Sequence, residues 1–132
     1  AVAGSFAVEP CILTLLVMTW CGGFDIIYAL QDAEFDRRHS LHSIPARFSA
    51  RTSLAISIAL HAASIAALLL FASYLPQRWP LYAGCAVFTA IIVMEHIIVT
   101  PTSQRNIGIA FGTLNGLAST TLAIFLIADM SI

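Results

Sequence analysis

Asp32 and Asp36 stand four residues apart in the stretch GFDIIYALQDAEFDRRHSLHSIPARF (23–48), and Arg37 and Arg38 follow at once. Carboxylates at i and i+4 share one face of a helix, about 6 Å apart at Cβ. From there both reach one Mg²⁺, or two ions bridged by the phosphates of a substrate, which is how Mg²⁺ is commonly held in proteins. Asp25 lies seven residues before Asp32, on the same helical face and inside an apolar run. An acid there costs about 3 kcal/mol on insertion scales. Acids and arginines are interleaved, and a diphosphate site needs both metal-holding carboxylates and guanidiniums that fork onto phosphate oxygens. The competing reading is a solvated juxtamembrane loop whose acids pair with the neighbouring arginines. Asp25 and Tyr28, at i and i+3, either line a cavity reaching into the membrane or pair with a polar group of a neighbouring helix.

The elements that must carry these residues follow from composition. The 132 residues are 59% hydrophobic and 10% charged, with a mean hydropathy of +0.89. Soluble domains carry about 25% charge, so the solvent this chain suits is lipid. All six basic residues are arginine and the net charge is −1, which excludes a nucleic-acid surface spread over the molecule and leaves no nucleic-acid partner. Cys11, Cys21 and Cys85 show no C-x-x-C or His-paired spacing and read as apolar helix filler. The expected fold is all-α, a multi-pass transmembrane bundle. Its spans are expected over about 11–30, 53–75, 81–100 and 107–128, each near the roughly 20 residues that cross a bilayer. Residues 31–52 form a polar loop with room for a short interfacial helix, broken at Ser43 and Pro45. That loop carries four of the arginines, so the positive-inside rule places it in the cytoplasm, with both chain ends outside. Arg78 against Arg105 decides nothing. The opening AVAGSFAVEP has neither Met nor a basic n-region, shows no signal-peptide pattern, and reads as a start inside something longer.

Other polar residues invite plainer expectations. Pro76 through Pro80 reads as a tight turn, with Tyr74 and Trp79 at interface depth. His61, alone in mid-span, reads as a helix-packing histidine. Glu95 and His96, near the end of the third span, read as interfacial residues rather than substrate ligands. Asn115 is expected to make an interhelical hydrogen bond, and Gly108, Gly112 and Gly116 form a small-residue stripe that admits another helix.

The run YALQD-AEFD-RR followed by LHSIPARF resembles the second aspartate-rich motif of the UbiA superfamily of intramembrane aromatic prenyltransferases. It is most similar to the quinone-pathway members related to 4-hydroxybenzoate polyprenyltransferase. A weaker likeness is VTPTSQRNIGIAFGTLNG (99–116), similar to the family's last loop and last helix. The resemblance covers nearly the whole chain. It implies about nine transmembrane helices around a central cavity, of which four are here, and two aspartate-rich motifs that bind Mg²⁺ and a polyprenyl diphosphate. By position, Asp32 and Asp36 would be the catalytic metal–diphosphate ligands, with Asp25, Tyr28 and Gln31 beside the substrate. Arg37, Arg38 and Arg47 would grip phosphate oxygens or an aromatic carboxylate.

The implied reaction transfers a polyprenyl group from its diphosphate to an aromatic acid such as 4-hydroxybenzoate, in ubiquinone or menaquinone biosynthesis, in a cell inner membrane. This chain departs from the family in lacking the first motif, N-x-x-x-D-x-x-x-D, and the helices that carry it. The resemblance therefore implies a C-terminal half, incompetent alone, whose partner is a missing N-terminal half or a second chain bearing that motif. Ser40 and Ser49 stand where relatives commonly have Gly. Two alternatives come from other classes. A CDP-alcohol phosphotransferase needs a D-x-x-D-G-x-x-A-R core, which DAEFDRR does not supply. A non-catalytic helical bundle, either a truncated remnant or a subunit packing through the 108–116 stripe, is kept open by the missing motif.

Overall fold

The computed structural model describes residues 7–76, 78–102 and 106–131. Gln77 of the expected turn, Arg105 of the last loop and the opening segment 1–6 lie outside the described residues. The fold is all-α. Its four long helices are α1 (Val8–Ala29), α4 (Ala50–Ser73), α5 (Trp79–Ile98) and a last helix, Ile109–Met130. Each is long and apolar enough to cross a membrane. The motif loop holds two short helices, α2 (Ala33–Arg38) and α3 (Ile44–Arg47).

The helix limits depart from the hydropathy reading by up to three residues because caps, not apolarity, set them. Ser49 accepts a hydrogen bond from the Thr52 N–H, so α4 starts at Ala50, ahead of the apolar run. Trp79 and Pro80, expected in a turn, form the first turn of α5. Proline is tolerated there because the first-turn N–H groups have no intrahelical partner. Trp79 remains 69% exposed.

α1 packs along α4 and α5 along the last helix, with a lighter α4–α5 contact joining the pairs. Two apolar clusters result. One, built on Leu16, Leu68, Leu81, Phe88, Ile92 and Leu122, lies at the end away from the motif loop. The other, built on Ile27, Leu30, Leu54, Val99 and Ile107, lies beneath that loop. Between them runs a polar layer. Ser57 donates to the Gly23 carbonyl at 2.7 Å, and His61 Nε2 meets the Trp20 carbonyl at 3.3 Å. The Trp20 indole N–H donates to Asn115 Oδ1 at 3.0 Å. The interhelical bond expected of Asn115 is therefore made, and Trp20 ties α1 to both α4 and the last helix.

The last helix opens with a π-helical segment, Ile109–Leu114, before continuing as α6 (Asn115–Met130). The Asn115 side-chain amide donates to the Ala110 carbonyl at 3.2 Å within this wide turn. The glycine stripe runs through the same segment, and its expected use is not seen. A Cβ built at Gly108, Gly112 or Gly116 meets no atom of another helix within 4 Å. The close approach occurs elsewhere. At Gly84 an added methyl would stand 2.8 Å from Phe125 Cβ, and at Gly23 it would overlap the His61 ring.

Gly23→Ala must push His61 out of the polar layer. The expected cost is about 2 kcal/mol, within the range for overpacking. It should appear as a lowered thermal midpoint of the chain in lipid nanodiscs, with no such change for Gly112→Ala.

Candidate functional site

The motif loop begins where α1 tightens. Leu30, Gln31 and Asp32 donate their N–H groups three residues back, to Ile27, Tyr28 and Ala29, at 3.3, 3.1 and 3.2 Å. The chain passes directly into α2, whose N-cap residue is Asp32, and the Asp36 N–H donates to the Asp32 carbonyl at 2.8 Å. The two aspartates are thus one helical turn apart, as their spacing requires. The Asp32 side chain makes no capping hydrogen bond and is exposed.

α2 ends in a left-handed residue. Ser40 has φ +56°. Leu41 N–H donates to the Asp36 carbonyl at 2.9 Å and Ser40 N–H to the Arg37 carbonyl at 3.4 Å. These are the two bonds of a Schellman motif, in which the left-handed position usually holds Gly. Serine here carries a steric cost that Gly would not.

Aspartate and arginine side chains then fold α3 back against α2. Ser43 caps α3 by accepting from the Ala46 N–H at 3.2 Å, and its own hydroxyl donates to Asp36 Oδ2 at 2.6 Å. Arg37 donates from Nε to the Ala46 carbonyl at 3.1 Å and from Nη2 to the Pro45 carbonyl at 2.9 Å, satisfying the C-terminal carbonyls of this short helix. Pro45 is buried beneath them. The serine–proline pair that looked like a break is therefore a helix start, a signal the order Ser43-Ile44-Pro45 carries.

Glu34 takes the ion pairs. Arg38 Nε lies 3.0 Å from its Oε1 and Arg37 Nη1 3.5 Å from its Oε2. Neither Asp32 nor Asp36 forms an ion pair among the described residues. The solvated-loop reading, in which the acids pair with the arginines, holds for Glu34 and not for the two aspartates.

An open cavity of about 670 Å³ lies between α2 and α3, with Arg37, His42, Ser43 and Arg47 as its polar wall and Leu41, Ile44 and Phe48 as its apolar one. The structure thus brings Arg37 and Arg47 together. Arg47 also stands over the Phe48 ring, 5.9 Å from its centroid. Asp25, Tyr28, Gln31, Asp32, Asp36 and Arg38 lie outside that cavity lining. Asp25, Tyr28 and Asp32 instead form an exposed stripe along the end of α1. Phe111, projecting from the π segment, covers Tyr28 with its ring centroid at 4.3 Å and meets Phe24 at 5.6 Å.

As a metal centre the donor set is small. Among the described residues no group of three or more His, Cys, Asp or Glu side chains could hold an ion. One exposed and one half-buried carboxylate, both free of arginine, do fit a hydrated Mg²⁺ that completes its shell with phosphate and water. They do not fit an all-protein cage. One Asp36 oxygen is shared with the Ser43 hydroxyl, which would orient the other toward an ion.

The model of the UbiA prenyltransferase family matches residues 1–127. The chain belongs to that family. No curated protein and no solved structure matches the chain. Family membership implies prenyl transfer at a membrane, and the four apolar helices agree with a membrane location.

Sequence reasoning missed one cluster. Glu95, expected at the interface, is fully buried, and His96 meets the buried His61. These residues are 34 and 35 positions from His61 on a different helix, so no local spacing joins them.

Ser43→Ala removes both the α3 cap and the Asp36 contact. A loss of about 1 kcal/mol is expected for the cap, seen as faster amide hydrogen exchange across residues 39–48. Ser40→Gly should act the other way, slowing exchange in the same segment by relieving about 1 kcal/mol of left-handed strain.

Proposed function

We propose that this chain binds the diphosphate end of a polyprenyl diphosphate at Asp32 and Asp36 through Mg²⁺, as part of an aromatic prenyltransferase of the quinone-pathway type. The observation that carries the reading is the charge arrangement of α2. Glu34 takes the ion pairs of Arg37 and Arg38, which leaves Asp32, exposed, and Asp36, half-buried one turn further on, without an ion pair among the described residues. A carboxylate pair one helical turn apart with arginines close by is what a Mg²⁺–diphosphate group requires.

Mg²⁺ bound there would neutralise the charge that develops on the departing diphosphate. Asp32 and Asp36 position the group, and Ser43 fixes the Asp36 carboxylate by its short hydrogen bond. Arg37, braced on the α3 carbonyls, frames the cavity rather than swinging freely. Arg47, and Arg38 on exchanging Glu34 for the ligand, are then the guanidiniums that would meet phosphate or the carboxylate of an aromatic acid. Departure of diphosphate leaves an allylic cation, which an electron-rich ring attacks and then rearomatises by losing a proton. Asp25, Tyr28 and Gln31 follow the stripe along which the first prenyl units would lie, with Phe111 as an aromatic wall.

In this reading the 31–52 loop is cytoplasmic, the membrane is the inner one, and residues 1–132 are the C-terminal half of the enzyme. The first aspartate motif comes from an N-terminal half or partner chain, and the acceptor is an acid such as 4-hydroxybenzoate or a menaquinone precursor.

Binding tests the site without requiring turnover. The chain in nanodiscs should bind a fluorescent prenyl diphosphate in the presence of Mg²⁺ and release it on chelation. Asp32→Asn and Asp36→Asn should each weaken binding at least tenfold, about 1.4 kcal/mol. Equal affinity of both variants and the parent chain would refute the assignment.

A further inference from the structure

The polar layer contains a group of acids and bases that the motif does not use. His61, 1% exposed, is held on α4 against Gly23 and Trp20 of α1 and faces α5. Its Nε2 meets the Trp20 carbonyl, which can only accept, so Nε2 carries the hydrogen. Its Nδ1 lies 2.9 Å from His96 Nε2, a separation that requires one proton between the two nitrogens. On the other side Glu95 is 0% exposed, and neither of its carboxyl oxygens has a hydrogen-bond partner. The nearer one, Oε2, stands 4.0 Å from His61 Nδ1.

We propose that Glu95, His61 and His96 form a proton-holding site inside the bundle that exchanges with the motif-loop side of the membrane. Proton counting carries the inference. When His61 is neutral, its Nδ1 lone pair accepts from His96 and offers nothing to Glu95. A bare carboxylate without a donor in a membrane span is strongly unfavourable, so Glu95 then holds the proton itself. When Glu95 is ionised, the proton sits on His61 Nδ1, which turns from His96 toward the carboxylate. Only an O–H bond is exchanged for an N–H bond, and both arrangements are neutral overall. Each holds one proton beyond those of the two neutral imidazoles.

The route to water is set by the surroundings. His96 lines a cavity of about 250 Å³ whose other walls include Arg51, Ile58, Val99 and Thr100. Arg51 is exposed in the first turn of α4, next to the motif loop. On the far side the layer is closed by Leu68, Phe88 and Ile92 of the apolar cluster. The site therefore exchanges from one side and does not conduct across the bundle.

Among the described residues no other titratable group is seen against it. α1 contributes only the Trp20 carbonyl and the Gly23 backbone, with Cys21 and the exposed Asp25 flanking Gly23 in sequence. α4 contributes His61, with Arg51 at the cavity, and α5 contributes Glu95 and His96. Asn115 of α6 reaches the far side of Trp20 and is not titratable.

Infrared spectroscopy of the full chain in nanodiscs tests this directly. The spectrum of the parent minus that of Glu95→Gln at neutral pH is expected to show one protonated carboxyl band. Its hydrogen–deuterium exchange should be several-fold slower in His96→Gln. Should Glu95→Gln not fold, ¹³C-labelled glutamate in the parent chain gives the same reading, with Glu9→Gln and Glu34→Gln identifying the bands of the two exposed glutamates. If the proton rests on the imidazole, ¹⁵N spectra show one imidazolium instead, which also supports the site. Carboxylate signal from Glu95 together with two neutral imidazoles overturns it. So does exchange equally fast in the parent and in His96→Gln.

Discussion

A polar group in the middle of a membrane span has no water to turn to, and the architecture of this chain follows from that constraint. Trp20 meets it twice, with its carbonyl against His61 and its indole on Asn115. Ser57 does the same for the Gly23 carbonyl region. Bonds of this kind contribute roughly 0.6 kcal/mol each between membrane helices, so they contribute less to overall stability than to fixing which helix lies beside which. The apolar clusters on either side could slide against each other, because one leucine-rich surface resembles another. The donors and acceptors at Trp20, Ser57, His61 and Asn115 allow one register.

That register in turn places the motif. With α1 locked against α4, the last turn of α1 delivers Asp25, Tyr28 and Asp32 along one exposed line. The return of the chain from Arg47 to Ser49 brings α3 back beneath α2. Asp36 and Arg37 hold α3 at its two ends, the first through the cap serine and the second through the terminal carbonyls. Two residues of motif type thus have structural duties as well, and the loop is ordered by the side chains proposed to meet the substrate.

Much of this was legible in the sequence. The four spans were visible because burial in lipid imposes length and apolarity that composition records directly. The one-turn spacing of Asp32 and Asp36 followed from helical geometry, and Asn115 was expected to bond another helix because few alternatives exist for an amide at that depth. What escaped were features set by three-dimensional coincidence. Glu95 looks interfacial because it lies near a helix end, yet it is fully buried and faces His61 of α4. The stripe at Gly108, Gly112 and Gly116 looks like a packing face because its spacing assumes a continuous α-helix, and a π segment interrupts the winding between its first and last glycines. The pairing of Glu34, rather than Asp36, with the arginines is a matter of rotamers that spacing alone leaves open.

The π segment has a consequence for how this chain tolerates change in length. A π turn is an α turn with one residue too many, and removing that residue restores ordinary winding. Within Ile109–Leu114 such a deletion would be absorbed without breaking the helix. Everything beyond it would keep its place, whereas winding all the present residues as regular α-helix would rotate that part by about 100° and advance it by about 1.5 Å. Asn115 would then leave the Trp20 indole while the face carrying Phe111 stayed beside Tyr28. The extra residue acts as a phase shifter, letting one helix present an aromatic wall to the motif stripe and an amide to the bundle centre when regular winding would align only one of them.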